Sequence, residues 1–249
     1  MIVPERAFAS PEEHYVDLET ATPQDIVSWA AATIPQLAVA TSFQSSGLVI
    51  LDMIRPIRPD VPVLFLDTGF HFSETIAFKE RIRALWDLNI VELHGAHGGP
   101  DKQEELHGPE LYRRDPDRCC SINKVEPLQR ALEGFEGWSS GLRRDQSPLR
   151  AETPMVEAQM LPSGRELLKI HPLARWTKQD VATYVAEHNI PTHPLLDAGF
   201  ASIGCWPCTR AIRADEDERA GRWDGLAKSE CGIHSFGREH GPRQTEAEQ

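Results

Sequence analysis

Three short apolar runs in the first third of the chain, "QLAVATSF", "VPVLFLDTG" and "NIVEL", alternate with stretches of helical spacing and leave few folds open. "TPQDIVSWAAATI", with Thr22 as its cap, precedes the first run. "GLVILDMI" follows it, and "SETIAFKERIRALWD", opened by Ser73, follows the second. Strands that are apolar along most of their length and joined by helices belong to a parallel sheet covered on both faces. Strand signals return at "GWSSGL" and around "ELLKIHPL", and "TKQDVATYVAEHN" is a capped helix. With 249 residues there is ample length for a core, so the expectation is one α/β domain with a mostly parallel sheet flanked by helices. Residues 95 to 117, rich in Gly, Pro, His and charge, read as an ordered excursion rather than a linker. The domain is expected to run over residues 1–234, with 235–249, "SFGREHGPRQTEAEQ", a mobile tail.

A formal net charge of −12 argues against a nucleic-acid partner, because phosphate binding draws on a basic surface. The acidic, proline-broken start lacks the form of a secretory signal, and no run approaches the roughly 18 apolar residues of a membrane span. A cytoplasmic location is therefore expected, where cysteine clusters are metal-binding or catalytic more often than disulfide-linked. Seven arginines gather in two stretches: Arg143, Arg144 and Arg150 in the first, Arg210, Arg213, Arg219 and Arg222 in the second. Singly each reads as solvated charge among Asp and Glu, but together they could line a pocket for a small anionic substrate.

In open α/β sheets ligands bind beyond the carboxyl ends of strands. "TSFQSSG" after the first strand could hold a phosphate on backbone N–H groups, and Asp67 and Thr68 after the second could contact a nucleotide, although both stretches are also ordinary turn chemistry. The five cysteines say more. Cys205 and Cys208, three apart in "GCWPC", can converge on one metal centre, whereas Cys119 and Cys120 are adjacent and would be strained on a single zinc ion. A cubane cluster offers each thiolate its own iron, so spacing favours an iron–sulfur cluster and leaves zinc open. Cys231 in "KSECGIH" remains, with Lys228 and His234 nearby in sequence. It is either a nucleophile on a flexible segment or a cysteine without a role.

Taken together, "LDTGFHFSET", "RCCSINKVEPL", "GLRRDQSPLR", "HPLARWTKQDV", "PLLDAGFASIGCWPCT", "RAGRW" and "ECGIH" give a chain that resembles the assimilatory adenylyl-sulfate (APS) reductases, the iron–sulfur members of the phosphosulfate reductase family. The resemblance implies an adenine nucleotide alpha hydrolase-like fold. It also implies a [4Fe-4S] cluster on Cys119, Cys120, Cys205 and Cys208, and Cys231 as the thiol that attacks APS. The implied products are AMP and an S-sulfocysteine, from which thioredoxin releases sulfite. Lys124 and His234 would act beside Cys231, and Ser42, Thr68, Gly141, Arg150, Arg219 and Arg222 would hold the substrate. "SFQSSG" departs from the Ser-Gly-Gly turn of the related ATP pyrophosphatases, which fits a substrate smaller than a triphosphate. The competing readings are a reductase of the 3′-phosphorylated substrate (PAPS), an ATP pyrophosphatase-type modifying enzyme and a cluster-bearing sensor. Homo-oligomer formation stays open.

Overall fold

A computed structural model describes residues 18–234 and 236. Strands β1 (Leu37–Ala40), β2 (Val63–Asp67), β3 (Ile90–His94), β4 (Gly137–Ser140), β5 (Val156–Met160) and β6 (Glu166–Ile170) form one sheet in the order β3-β2-β1-β4-β6-β5. Every pair is parallel except β5 with β6 at the edge. The pleat divides the core in two. Val39, Val63, Phe65 and Ile170 face helices α1 (Pro23–Thr33), α2 (Ser45–Ile54), α3 (Ser73–Trp86) and α8 (Lys178–Glu187). Ala38, Leu64 and Trp138 face the opposite layer, built by Leu128 and Leu132 of α7 (Glu126–Leu132) and by Ile233 and Phe236. With both faces covered, the strands can be apolar throughout.

Both caps read from the sequence form: Thr22 and Thr177 each accept from the backbone of the residue three further on, while Asp25 and Asp180 answer in a reciprocal capping box. α3 opens at Ser73 as read, with Phe72 before it making no side-chain cap bond, and the Ser73 hydroxyl donates to Glu74 at 3.0 Å. The excursion after β3 contains α4 (Pro100–His107), α5 (Leu111–Arg114) and α6 (Pro116–Cys120). The antiparallel edge strand β5 left no mark in the sequence, because its burial lacks the alternation that would announce it. The expected tail lies outside the described residues apart from Phe236, whose carbonyl accepts from Gln159 at 3.0 Å.

β1 has β2 on one side and β4 on the other, so the chain leaves its carboxyl end in opposite directions and opens a crevice there. Gly141, just past β4, is packed so closely that a Cβ would stand 2.9 Å from Ser46 Cβ and 3.1 Å from Gly47 N. The strand end and the first turn of α2 therefore meet backbone to backbone.

One buried histidine makes folding pH-dependent. His193, 1% exposed, accepts from Leu195 N at Nδ1 and contacts the Thr75 hydroxyl at 3.0 Å, and burial pushes its pKa down to about 4. The folded state keeps it neutral while the unfolded chain protonates it near pH 6.5, so its contribution is present above that pH and is lost as pH falls toward 4. Urea titrations between pH 7.5 and 5 are expected to show a loss of about 2 kcal/mol from this group. His193→Gln is expected to flatten that part of the slope.

Candidate active site

A cleft of about 1270 Å³ opens at the crevice, lined among others by Ser42, Gly141, Arg219, Arg222, Cys231 and His234. Ser42 stands exposed at the end of β1 and accepts from Gln44 Nε2 at 2.8 Å. The rest of the Gln44 amide serves the scaffold: it accepts from Ile203 N at 2.8 Å and donates to Ile203 O at 2.9 Å, imitating a strand partner for the loop that leads to Cys205. Arg143 is likewise spent on structure, donating to Ser46 at 2.7 Å, Asp145 at 2.9 Å and Glu218 at 3.1 Å.

Behind the cleft wall, Cys119, Cys120, Cys205 and Cys208 line a second, small cavity together with Thr68 and Asn123. The first two come from α6, which runs through a π-helical turn at Ser121–Val125 into α7. Wide turns of this kind accompany functional sites because they re-aim side chains within an otherwise regular helix. The other two come from a tight turn, closed by Cys208 N donating to Cys205 O at 3.0 Å and tied to the end of β2 by Trp206 N donating to Phe70 O at 2.8 Å. Amide nitrogens of Gln103 and Asn123 stand 3.7 Å from Cys119 Sγ, and the Thr68 hydroxyl is 3.4 Å from Cys205 Sγ.

Burial pushes the Cys120 thiol up to about 12 and Cys208 up to about 11, and it raises Cys119 in the same direction. As free thiols these three stay protonated near neutral pH and are weak nucleophiles, whereas a metal would displace their protons. Among the described residues, only Asp67, Glu92 and His94 form a trio of ligand types with donor atoms within 4.8 Å of one another, so the four sulfurs are spread more widely than that. A single tetrahedral zinc would hold its sulfurs about 3.8 Å apart. The wider set suits a polynuclear centre.

Lys124 lines both cavities. Burial works against its charge, and it is the ionised forms of Cys205, Cys120 and Cys231 around it that outweigh this and hold the ammonium above its ordinary pKa. The segment after Trp223 completes the cleft. Cys231 is half-buried there, Arg219 donates to Ser229 O at 2.9 Å, and Arg150 grips Glu230 with two bonds of 2.7 Å. Burial, with Arg150 next, lowers Arg219 to about 10, which still leaves it charged at pH 7. Arg222 lies over the Trp223 ring and donates to Ser202 at 3.2 Å, while its buried Nε has no hydrogen-bond partner among the described residues. A Cβ on Gly204 would stand 2.3 Å from Arg222 Nη2, which is why glycine precedes Cys205. His234 stacks on Trp138 at 6.3 Å and 8°, and its carbonyl accepts from Lys169 at 3.0 Å. Burial, reinforced by Lys169, keeps its imidazole neutral.

Thus Lys124, Ser42, Gly141, Arg150, Arg219, Arg222, Cys231 and His234 converge on one cleft. Thr68 lies on the thiol side of the wall, with its hydroxyl between Cys205 Sγ and Phe70 N. Sequence reasoning missed the Gln44 clamp, the amides of Gln103 and Asn123 and the Arg150 to Glu230 pair; the clamp and the ion pair depend on partners 159 and 80 residues away, whereas Asn123 reaches Cys119 only four residues back.

Residues 36–211 match the model of the phosphoadenosine phosphosulfate reductase domain. The chain is 44% identical to a Streptomyces coelicolor protein named adenosine 5′-phosphosulfate reductase, over 88% of this chain and 90% of that one. A Mycobacterium tuberculosis protein of the same name is 37% identical over 88% of this chain and 91% of its own. Among solved structures, phosphoadenylyl-sulfate (PAPS) reductase from Candida auris superposes with a TM-score of 0.68 at 31% identity, covering 79% of this chain and 93% of that one. FMN adenylyltransferase from Candida glabrata, TM-score 0.57 at 14% identity over 93% and 82% of the two chains, shares the fold alone.

Removing the Gln44 side chain would strip both backbone groups of buried Ile203 of their partners. Gln44→Ala is expected to lower the unfolding free energy by about 2 kcal/mol in denaturant titrations.

Proposed function

The chain belongs to the phosphoadenosine phosphosulfate reductase domain family, and from that premise we propose that it reduces adenylyl sulfate (APS) to sulfite and AMP in sulfate assimilation. It is an oxidoreductase acting on sulfur. The observation that carries the choice of substrate is the division of the thiols: four walled off in one small cavity, one in the cleft. The sulfur spacing and the absence of any carboxylate or imidazole among the residues lining that cavity fit a [4Fe-4S] cluster on Cys119, Cys120, Cys205 and Cys208. Bound there, the cluster would supply a fixed negative field and tie the 205–208 turn to α6.

The remaining residues divide the chemistry. The adenosine monophosphate part lies along Ser42 and Gly141 at the switch point, where backbone groups and a hydroxyl are presented. The sulfate and phosphate meet Lys124, Arg219 and Arg222, which line the cleft together. Thr68 supports the same wall from behind through Cys205. Cys231 as thiolate attacks the sulfur atom, the sulfur–oxygen bond to the phosphate breaks with its electron pair, and AMP leaves. The products on the enzyme side are a neutral His234 beside a sulfonated Cys231. A dithiol of the thioredoxin type then supplies two electrons, sulfite departs, Cys231 returns to a thiol and the partner becomes a disulfide.

The same geometry weighs the rivals. An ATP-dependent modifying enzyme would have no use for Cys231 in the cleft, and a sensor would have no use for the arginines around it. Among the described residues no helix is long and apolar enough to cross a membrane, which is compatible with a cytoplasmic enzyme.

Anaerobically purified protein is expected to contain iron and sulfide in the cluster's proportions and to release sulfite with thioredoxin from APS far faster than from PAPS. Equal rates on the two substrates would overturn the choice of APS. Lys124→Ala is expected to keep the absorbance spectrum and lose about 2 to 4 kcal/mol in kcat/KM, the cost of removing a cation that faces a dianion in a partly dry site. Unchanged kcat/KM would make Lys124 a support for the thiols only.

A further inference from the structure

The residue immediately before the reactive thiol makes a two-point ionic contact with Arg150. Glu230 receives Arg150 Nε on one carboxylate oxygen and Arg150 Nη2 on the other, both at 2.7 Å, and Arg219 Nη2 approaches the second oxygen at 3.4 Å. The Arg150 side chain is 10% exposed and that of Glu230 20%. A two-point guanidinium grip fixes direction as well as distance, so the backbone that carries Glu230 has little freedom to turn. Gly232 follows Cys231 at φ 86°, a conformation suited to glycine, and turns the chain against Val125. Cys231 is therefore held between a fixed carboxylate and a fixed turn.

The other tethers of the segment are of a different kind. Lys228 pairs with Asp117, but Asp117 is 82% exposed, and water-facing pairs contribute little. Lys169 and Gln159 hold the backbone carbonyls of His234 and Phe236, beyond the thiol. Arg150 also donates from Nη1 to Gln146, so each of its three guanidinium nitrogens is engaged with protein. Before a phosphosulfate arrives, Arg150 thus has three of its five N–H donors committed. Its charge reaches the reaction through Glu230.

Resting on the reading of Cys231 as the thiol that attacks APS, we infer that Glu230 is a positioning residue: its carboxylate, seated on Arg150 and Arg219, docks the C-terminal segment and places Cys231 Sγ in the cleft. Substrate affinity is set mainly by Lys124, Arg222 and the β1 and β4 turns, with Arg219 shared between Glu230 and the phosphosulfate. Removing either partner leaves a charge half-buried without its counterion, so the segment is released rather than re-seated. Glu230→Gln is nearly isosteric, yet its amide N–H₂ would face guanidinium donors and cannot restore the grip.

Three measurements on anaerobic, cluster-loaded protein test this. The first is the rate at which iodoacetamide labels Cys231, read by peptide mass mapping; the second is AMP affinity by calorimetry; the third is the single-turnover rate of Cys231 sulfonation by APS. In Glu230→Gln, labelling of Cys231 is expected to rise about tenfold or more and sulfonation to slow by a similar factor, as loss of a two-point charged contact implies, with AMP affinity unchanged. Arg150→Gln is expected to reproduce all three results, and the double variant to be no worse than either single one. Unchanged labelling in Glu230→Gln, additive effects in the double variant, or weakened AMP binding in Arg150→Gln would each overturn the inference. The labelling does not depend on APS, so a wild-type enzyme that shows the protection pattern but no sulfonation would count against the proposed function and uphold the docking contact.

Discussion

A single ammonium group, that of Lys124, stands in the wall between two cavities, and the site is arranged around the cost of keeping it charged there. Burial alone would favour the neutral amine. The surrounding sulfurs of Cys205, Cys120 and Cys231 reverse that preference once they are ionised. The dependence is mutual, because the same burial holds the free thiols protonated and only a cation or a metal makes their ionised form tolerable. Cation and thiols thus form one electrostatic unit. The π-helical turn at Ser121–Val125 places Lys124 and the Cys119 and Cys120 pair on one continuous helical segment that shares this wall.

The sheet explains why the fifth thiol faces the other side. α7 covers one half of the lower sheet face, and Ile233 and Phe236 help to cover the rest, packing near Trp138 and Leu167. The residues just after Cys231 are thus part of the core, although they come from the end of the chain. Their apolar contacts pull the segment onto the sheet, while the Arg150 to Glu230 pair and the Lys169 bond to His234 O set its register. Apolar burial supplies attraction without direction; the charged bonds supply direction.

Much of this was legible before any coordinates. Apolar strand runs, the Thr22 and Thr177 caps and the spacing of the cysteines are local signals, and local signals survive in a sequence. The edge strand β5 was invisible because it is short and its burial does not alternate. Ser73 was legible as the residue that opens α3, but its cap Phe72 carries no capping side chain to announce it. The Gln44 clamp on Ile203 spans 159 positions, and Arg150 and Glu230 are 80 apart. Pairings at that range leave no periodic trace. Thr68 was legible as a site residue, but the side of the wall it faces was not.

Five thiols of one chain lie in two places, Cys119, Cys120, Cys205 and Cys208 on the small cavity and Cys231 on the cleft, and the proposed function gives metal to the first four and the reaction to the last. The most direct measurement is to mix cluster-loaded protein with APS in the absence of any reductant, denature it and map the sulfonate group by mass spectrometry, with Cys231→Ser as the control. One sulfonate per chain, confined to Cys231 and missing from a Cys231→Ser variant that retains its cluster absorbance, is the expected result. A sulfonate on Cys119, Cys120, Cys205 or Cys208, or sulfite released by Cys231→Ser, would contradict the account.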